Sequence, residues 1–167
     1  MKKVYMLISI VFLLLVGCSK DVSTQDPNTP KLSSTFNYPV TFGDGKKGEY
    51  ILIGEKDKVA FQIGSGEKDK GVVNPIVEGQ TDKYMWYFWG TDEELKGKMK
   101  VEGISENGKK ETVLTASSLG ISTSPIEGAN ATLPSIMVFS KPGKWKLNVY
   151  IANKLFGNIV IYVEPKS

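Results

Sequence analysis

From Lys144 to Ala152 apolar and polar side chains alternate, with Trp145, Leu147, Val149 and Ile151 on one side and Lys146, Asn148 and Tyr150 on the other. A period of two is that of a half-buried strand, and the first set belongs to the core. The next run, Leu155, Gly157, Ile159, Ile161 and Val163, also keeps its apolar set on odd positions. Facing residues of a hairpin share a side of the sheet. The two sets therefore join only if Ile151 faces Leu155 across the loop Ala152-Asn153-Lys154, or if the second strand carries a bulge at Gly157. A two-residue Asn153-Lys154 turn would send Asn158 inward and is rejected.

Similar short runs recur upstream, divided by Gly, Pro, Asn and Asp. They predict strands at Val40–Phe42, Glu49–Gly54, Val59–Ile63, Tyr84–Trp89, Lys98–Ile104, Glu111–Leu114 and Ser135–Phe139, besides Lys144–Ala152 and Phe156–Glu164. No long helical period interrupts them. The expected fold is all-β, an antiparallel two-sheet sandwich of about seven to nine strands. Thr91 followed by Glu94 is a capping-box pair and predicts one short helical turn as a connector. The pentapeptide Gly-Glu-Lys-Asp-Lys occurs at Gly54–Lys58 and again at Gly66–Lys70. Two lysines in each copy oppose a cation, so both read as polar turns and no metal site is expected.

The start of the chain has a different pattern. Lys2 and Lys3 precede an apolar run, Val4 to Val16, that is shorter than the roughly 20 residues a bilayer span requires. This is the layout of a secretory signal peptide. Its end, Leu15-Val16-Gly17-Cys18, resembles the lipobox of bacterial lipoproteins. That resemblance implies cleavage before Cys18, with diacylglycerol on the thiol and, where it is added, an N-acyl chain on the new amine. Each buried CH₂ contributes about 0.8 kcal/mol, so two or three acyl chains hold a protein at a membrane. Residues 18–37, rich in Ser, Thr, Pro, Asp and Asn, read as a flexible tether that cannot bury enough apolar surface to order itself. The expected division is residues 1–17 as cleaved signal, 18–37 as lipidated cysteine and tether, and 38–167 as the sandwich domain, carried on the outer face of the cell membrane.

Composition then removes chemistry. The chain has no histidine and no arginine, and Cys18 is its only cysteine. Ser-His-Asp and Cys-His catalysis, histidine-based zinc sites and disulfides are thereby excluded. Without Lys2 and Lys3 the 21 basic side chains fall to 19 against 18 acidic ones, so nucleic acid is not an expected partner. No cofactor is expected beyond the covalent lipid.

Two resemblances extend this reading. Pro142-Gly143-Lys144-Trp145-Lys146-Leu147 resembles the corner before the penultimate strand of immunoglobulin-like sandwiches, with Trp145 in place of the corner tyrosine and Leu147 in place of the core cysteine. It implies an immunoglobulin-like arrangement in which Trp86 is the buried tryptophan of a mid-sandwich strand. The segments Lys83–Gly90, Gly128–Ser135 and Trp145–Leu147 through Leu155–Gly157 are similar to an uncharacterised lipoprotein family of bacillus-like Gram-positive bacteria, a domain of unknown function. This likeness implies an envelope location and brings no catalytic residues.

Tyr84–Trp89 is the densest aromatic stretch. Tyr84, Trp86 and Phe88 share one face, and Met85, Tyr87 and Trp89 the other. Only one face can line the inter-sheet core. The second either packs beneath a loop or the short helix, or lies open as a patch in which Tyr87 and Trp89 meet a sugar ring or a protein. Asp92, Glu93 and Glu94 form a charged helix start rather than a facing pair of catalytic carboxylates. The expected role is a noncatalytic, membrane-anchored module binding an envelope protein. The alternatives are a carbohydrate- or peptidoglycan-binding module and a carboxylate-dependent wall hydrolase.

Overall fold

The computed structural model describes residues 30–167 apart from 117, 118, 120–125 and 127. The signal segment, Cys18 and the tether up to residue 29 lie outside the described residues. The strands are β1 (Thr35–Thr41), β2 (Lys47–Glu55), β3 (Val59–Gly66), β4 (Val72–Val73), β5 (Asp82–Phe88), β6 (Met99–Ser105), β7 (Lys110–Ala116), β8 (Ala131–Met137), β9 (Gly143–Ile151) and β10 (Lys154–Val163), with one helical turn, α1 (Asp92–Leu95). They form two antiparallel sheets facing each other. One runs β1-β2-β3-β5-β8 with β4 beside β3, and the other β10-β9-β6-β7. Every strand expected from the sequence is present in some form. The two-residue β4 had no pattern to announce it.

The core follows from the alternation. Trp145, Leu147, Val149 and Ile151 of β9 and Ile159, Ile161 and Val163 of β10 are buried against Phe61, Trp86 and Phe88 of the other sheet. Phe61 and Trp86 lie 4.9 Å apart between ring centres, and Trp86 stacks on Phe88 at 6.2 Å. The indole N–H of Trp86 donates to Ser135 Oγ at 3.0 Å, so burying the ring strands no donor. At the corner, Trp145 donates its indole N–H to the Lys141 carbonyl four residues upstream, at 3.0 Å.

The C-terminal hairpin takes the bulge and not the longer loop. Lys154 faces Ile151 across Ala152 and Asn153, both at positive φ (48° and 63°), as a two-residue I′ turn requires. The register then shifts between Leu155 and Gly157, which returns Ile159 to face Leu147 and turns Leu155 outward at 58% exposure. Gly157 explains why the bulge sits there. A Cβ on it would stand 2.7 Å from Val59 Cγ1, so only glycine lets β10 pass this close to β3.

The repeated pentapeptide folds the same way twice. Asp57 and Asp69 both adopt positive φ (58° and 62°), and Lys58 and Lys70 donate backbone N–H to the carbonyls of Glu55 (3.2 Å) and Glu67 (2.9 Å). The capping box also forms. Thr91 N–H reaches Glu94 Oε2 at 2.9 Å, and Glu94 N–H reaches Thr91 Oγ1 at 3.3 Å.

The expected tether boundary at Asn37 needs correction. Ser33 donates its backbone N–H to the Val160 carbonyl and its Oγ accepts from Val160 N–H, both at 2.9 Å. β1 then begins at Thr35. Polar composition misled here, because pairing with β2 and the Ser33 contact to β10 order this stretch while Phe36 supplies its apolar contact.

Candidate functional site

The aromatic stretch does not form an open patch. Tyr87 is 1% and Trp89 8% exposed, in a second small core on the outer side of the six-stranded sheet. Val40, Leu52, Ala60 and Ile126 complete that core, with Tyr38, Phe42 and Tyr50 packed against it. Tyr38 meets Trp89 at 6.4 Å and Tyr50 meets Tyr87 at 6.5 Å between ring centres. Desolvation raises the Tyr87 hydroxyl above its ordinary range, and the hydroxyl donates to Gln62 Oε1 at 3.4 Å. Of the two outcomes weighed for this face, packing is the one observed, and the open binding patch of Tyr87 and Trp89 is overturned. Side chains of β1 and β2, together with Ile126, pack against these rings.

Within the acidic turn Asp92–Glu94, Glu94 is likewise committed to structure. Glu94 accepts from Thr91 and pairs with Lys58 at 3.4 Å, and these contacts hold its carboxyl below the usual range. Lys58 in turn stands 4.1 Å from the centre of the Phe156 ring. Among the described residues no three carboxylate or cysteine side chains gather as a metal site.

The cleft that does open lies elsewhere, where the six-stranded sheet divides. β3 pairs with β5 only from Val59 to Phe61, and beyond that it pairs with β4 through Gly64 and Ser65. Glycine permits this parting, since a Cβ on Gly64 would lie 2.2 Å from the Val72 carbonyl. Asn74 N–H takes the Ile63 carbonyl at 2.7 Å, and Glu49, itself buried, accepts Asp69 N–H at 3.2 Å and braces the loop.

The resulting groove has a volume of about 980 Å³. Its polar lining includes Gln62, Asn74, Asp82 and Lys83, its apolar lining includes Met85, Leu133 and Ile136, and Leu114–Ala116 of β7 border it from the facing sheet. Gln80 donates to Asp82 Oδ2 at 2.9 Å. Tyr84 is the one aromatic side chain of the lining. Its hydroxyl is pushed up to about 12 by burial and then by the charge of Asp82. The exposed apolar residues Val72, Val73, Ile136 and Val138 stand on the strands and strand ends beside the groove. Sequence reasoning missed this site. Only the doublet Val72-Val73 between Gly71 and Asn74-Pro75 marked it.

Strand order also sets where the groove lies relative to the chain's entry. Ser33 docks on β10, at the β1 side of the sandwich. The groove spans β3, β5 and β8, so two to four strand spacings, roughly 10 to 20 Å, separate β1 from the strands that line it.

A search of curated proteins gives no match. Among solved structures, the crystal structure of a protein described as a "putative lipoprotein" from Bacillus anthracis superposes with a TM-score of 0.50 at 22% identity, covering 80% of this chain and 86% of that one. It shares the fold. The model of a family described as a domain of unknown function, DUF4871, matches residues 31–161, nearly the whole span from the Ser33 contact to β10. The chain belongs to the DUF4871 family.

Proposed function

We propose that this protein is an extracytoplasmic lipoprotein, anchored through Cys18 to the outer face of the cell membrane, whose domain binds another envelope component without catalysing a reaction. The lipobox Leu15–Cys18 and the description of the structural relative support the anchor. The immunoglobulin-like reading of the sandwich draws support from the order β10-β9-β6-β7 facing β3-β5-β8, with the penultimate strand central in its sheet.

The groove of about 980 Å³ with an exposed apolar rim carries the binding reading. The three tryptophans are buried, and this groove, larger than the recesses beside β1 and beside Phe156, is a concave surface that a partner can occupy. It also favours binding over wall hydrolysis. Among its lining residues Asp82 is the one carboxylate, whereas glycoside hydrolysis uses two, facing each other about 5 to 9.5 Å apart.

The anchor is tested by metabolic labelling with a clickable fatty acid followed by fractionation. Cys18→Ala should lose the label and leave the membrane fraction. A variant that still labels would refute the anchor.

A further inference from the structure

What the groove leaves unmade points to the chemistry of its occupant, an inference that rests on the binding reading above. β5 pairs with β8 along its whole length, Asp82–Phe88 against Ala131–Met137. With β3 it pairs only at Trp86, Tyr87 and Phe88. On its β3 side, Asp82–Met85 therefore has no strand partner among the described residues. Successive residues of an antiparallel strand direct their N–H and C=O to alternate sides, so part of this stretch presents backbone donors and acceptors to the groove.

We infer that the groove takes an extended polypeptide segment, about four to six residues long, which adds as a strand to the free edge of β5. Gln62 and Met85 stand where the next rung of the β3–β5 ladder would be, and both line the groove. Ile136, at 59% exposure, lines the groove from β8, one strand beyond β5, and offers an apolar surface to side chains of such a strand that reach across β5. Asp82 and Lys83 supply one charge of each sign, which matches a segment of low net charge. A glycan is the poorer fit. Sugar rings stack on open aromatic faces, and the groove's one aromatic side chain, Tyr84, is 8% exposed.

The test uses the full lipidated chain in detergent micelles, panned against a displayed library of random dodecapeptides, with solubilised peptidoglycan fragments as a parallel bait. Enriched peptides should be apolar at alternate positions and should bind at least tenfold more weakly to Ile136→Lys, a change at an exposed position. N-methylation of alternate peptide nitrogens should weaken binding about fivefold to tenfold per donor removed in one set, and little in the other. Peptides that bind equally well in both methylated forms would overturn strand addition and leave the binding reading standing. Capture of peptidoglycan fragments alone would overturn the peptide and keep the module. Capture of neither would overturn both.

Discussion

At the residue scale, burial decides what each aromatic side chain does. Trp89 is 8% exposed among Tyr38, Val40 and Leu52, so Trp89→Ala should cost about 3 to 5 kcal/mol in chemical denaturation, as large-to-small changes of buried rings do. Such a variant reports on folding rather than on binding. Tyr84 makes a second prediction. Its folded-state value of about 12 lies above the ordinary value of 10, so the folded chain keeps the proton that the unfolded chain releases. Stability is fully present below pH 10 and is lost as pH rises from 10 toward 12. Urea midpoints at pH 9 and pH 11 should show the fall, and Tyr84→Phe should reduce it. An unchanged fall in that variant would place the alkaline sensitivity elsewhere.

At the element scale, two contacts make separate claims. Ser33 caps the edge of β10 through Val160, so Ser33→Ala should cost about 1 kcal/mol and speed amide exchange at Val160, while Trp86 and its neighbours stay protected. In the I′ turn, Ala152 holds φ 48° despite its Cβ, so Ala152→Gly should raise stability by about 0.5 to 1 kcal/mol. These elements also show what was legible in the sequence. Strict alternation from Trp145 to Ile151 marked β9, its core face and the choice between a three-residue loop and a bulge at Gly157, because parity is a property of the residues alone; which of the two forms was not legible. The capping box and paired turns were equally local. β4 was not legible, since two valines have no period and pair only because Gly64 admits the Val72 carbonyl. Nor was the fate of Tyr87 and Trp89, because a strand's second face is covered or left open by residues distant in sequence.

At the scale of the whole molecule, one sheet serves two cores. Phe61, Trp86 and Phe88 point into the sandwich, while Leu52, Tyr87 and Trp89 face the outer layer, and both sets sit on adjoining strands. Trp86–Phe88 of β5 pairs on both edges and is buried on both faces, whereas Asp82–Met85 pairs only with β8 among the described residues, and the groove opens along that unpaired edge. The first described contact of the chain, Ser33 on Val160, lies on the β1–β10 side, at the other end of the strand order from β8. The central claim, that the groove side engages an envelope component, is tested most directly by photocrosslinking in cells with a photoreactive side chain placed at Ile136 and, as control, at Tyr162 on the opposite sheet. The account predicts a saturable adduct from position 136, competed by a groove-binding peptide, and none from position 162. Equal adducts from both positions, or none from 136, would contradict it.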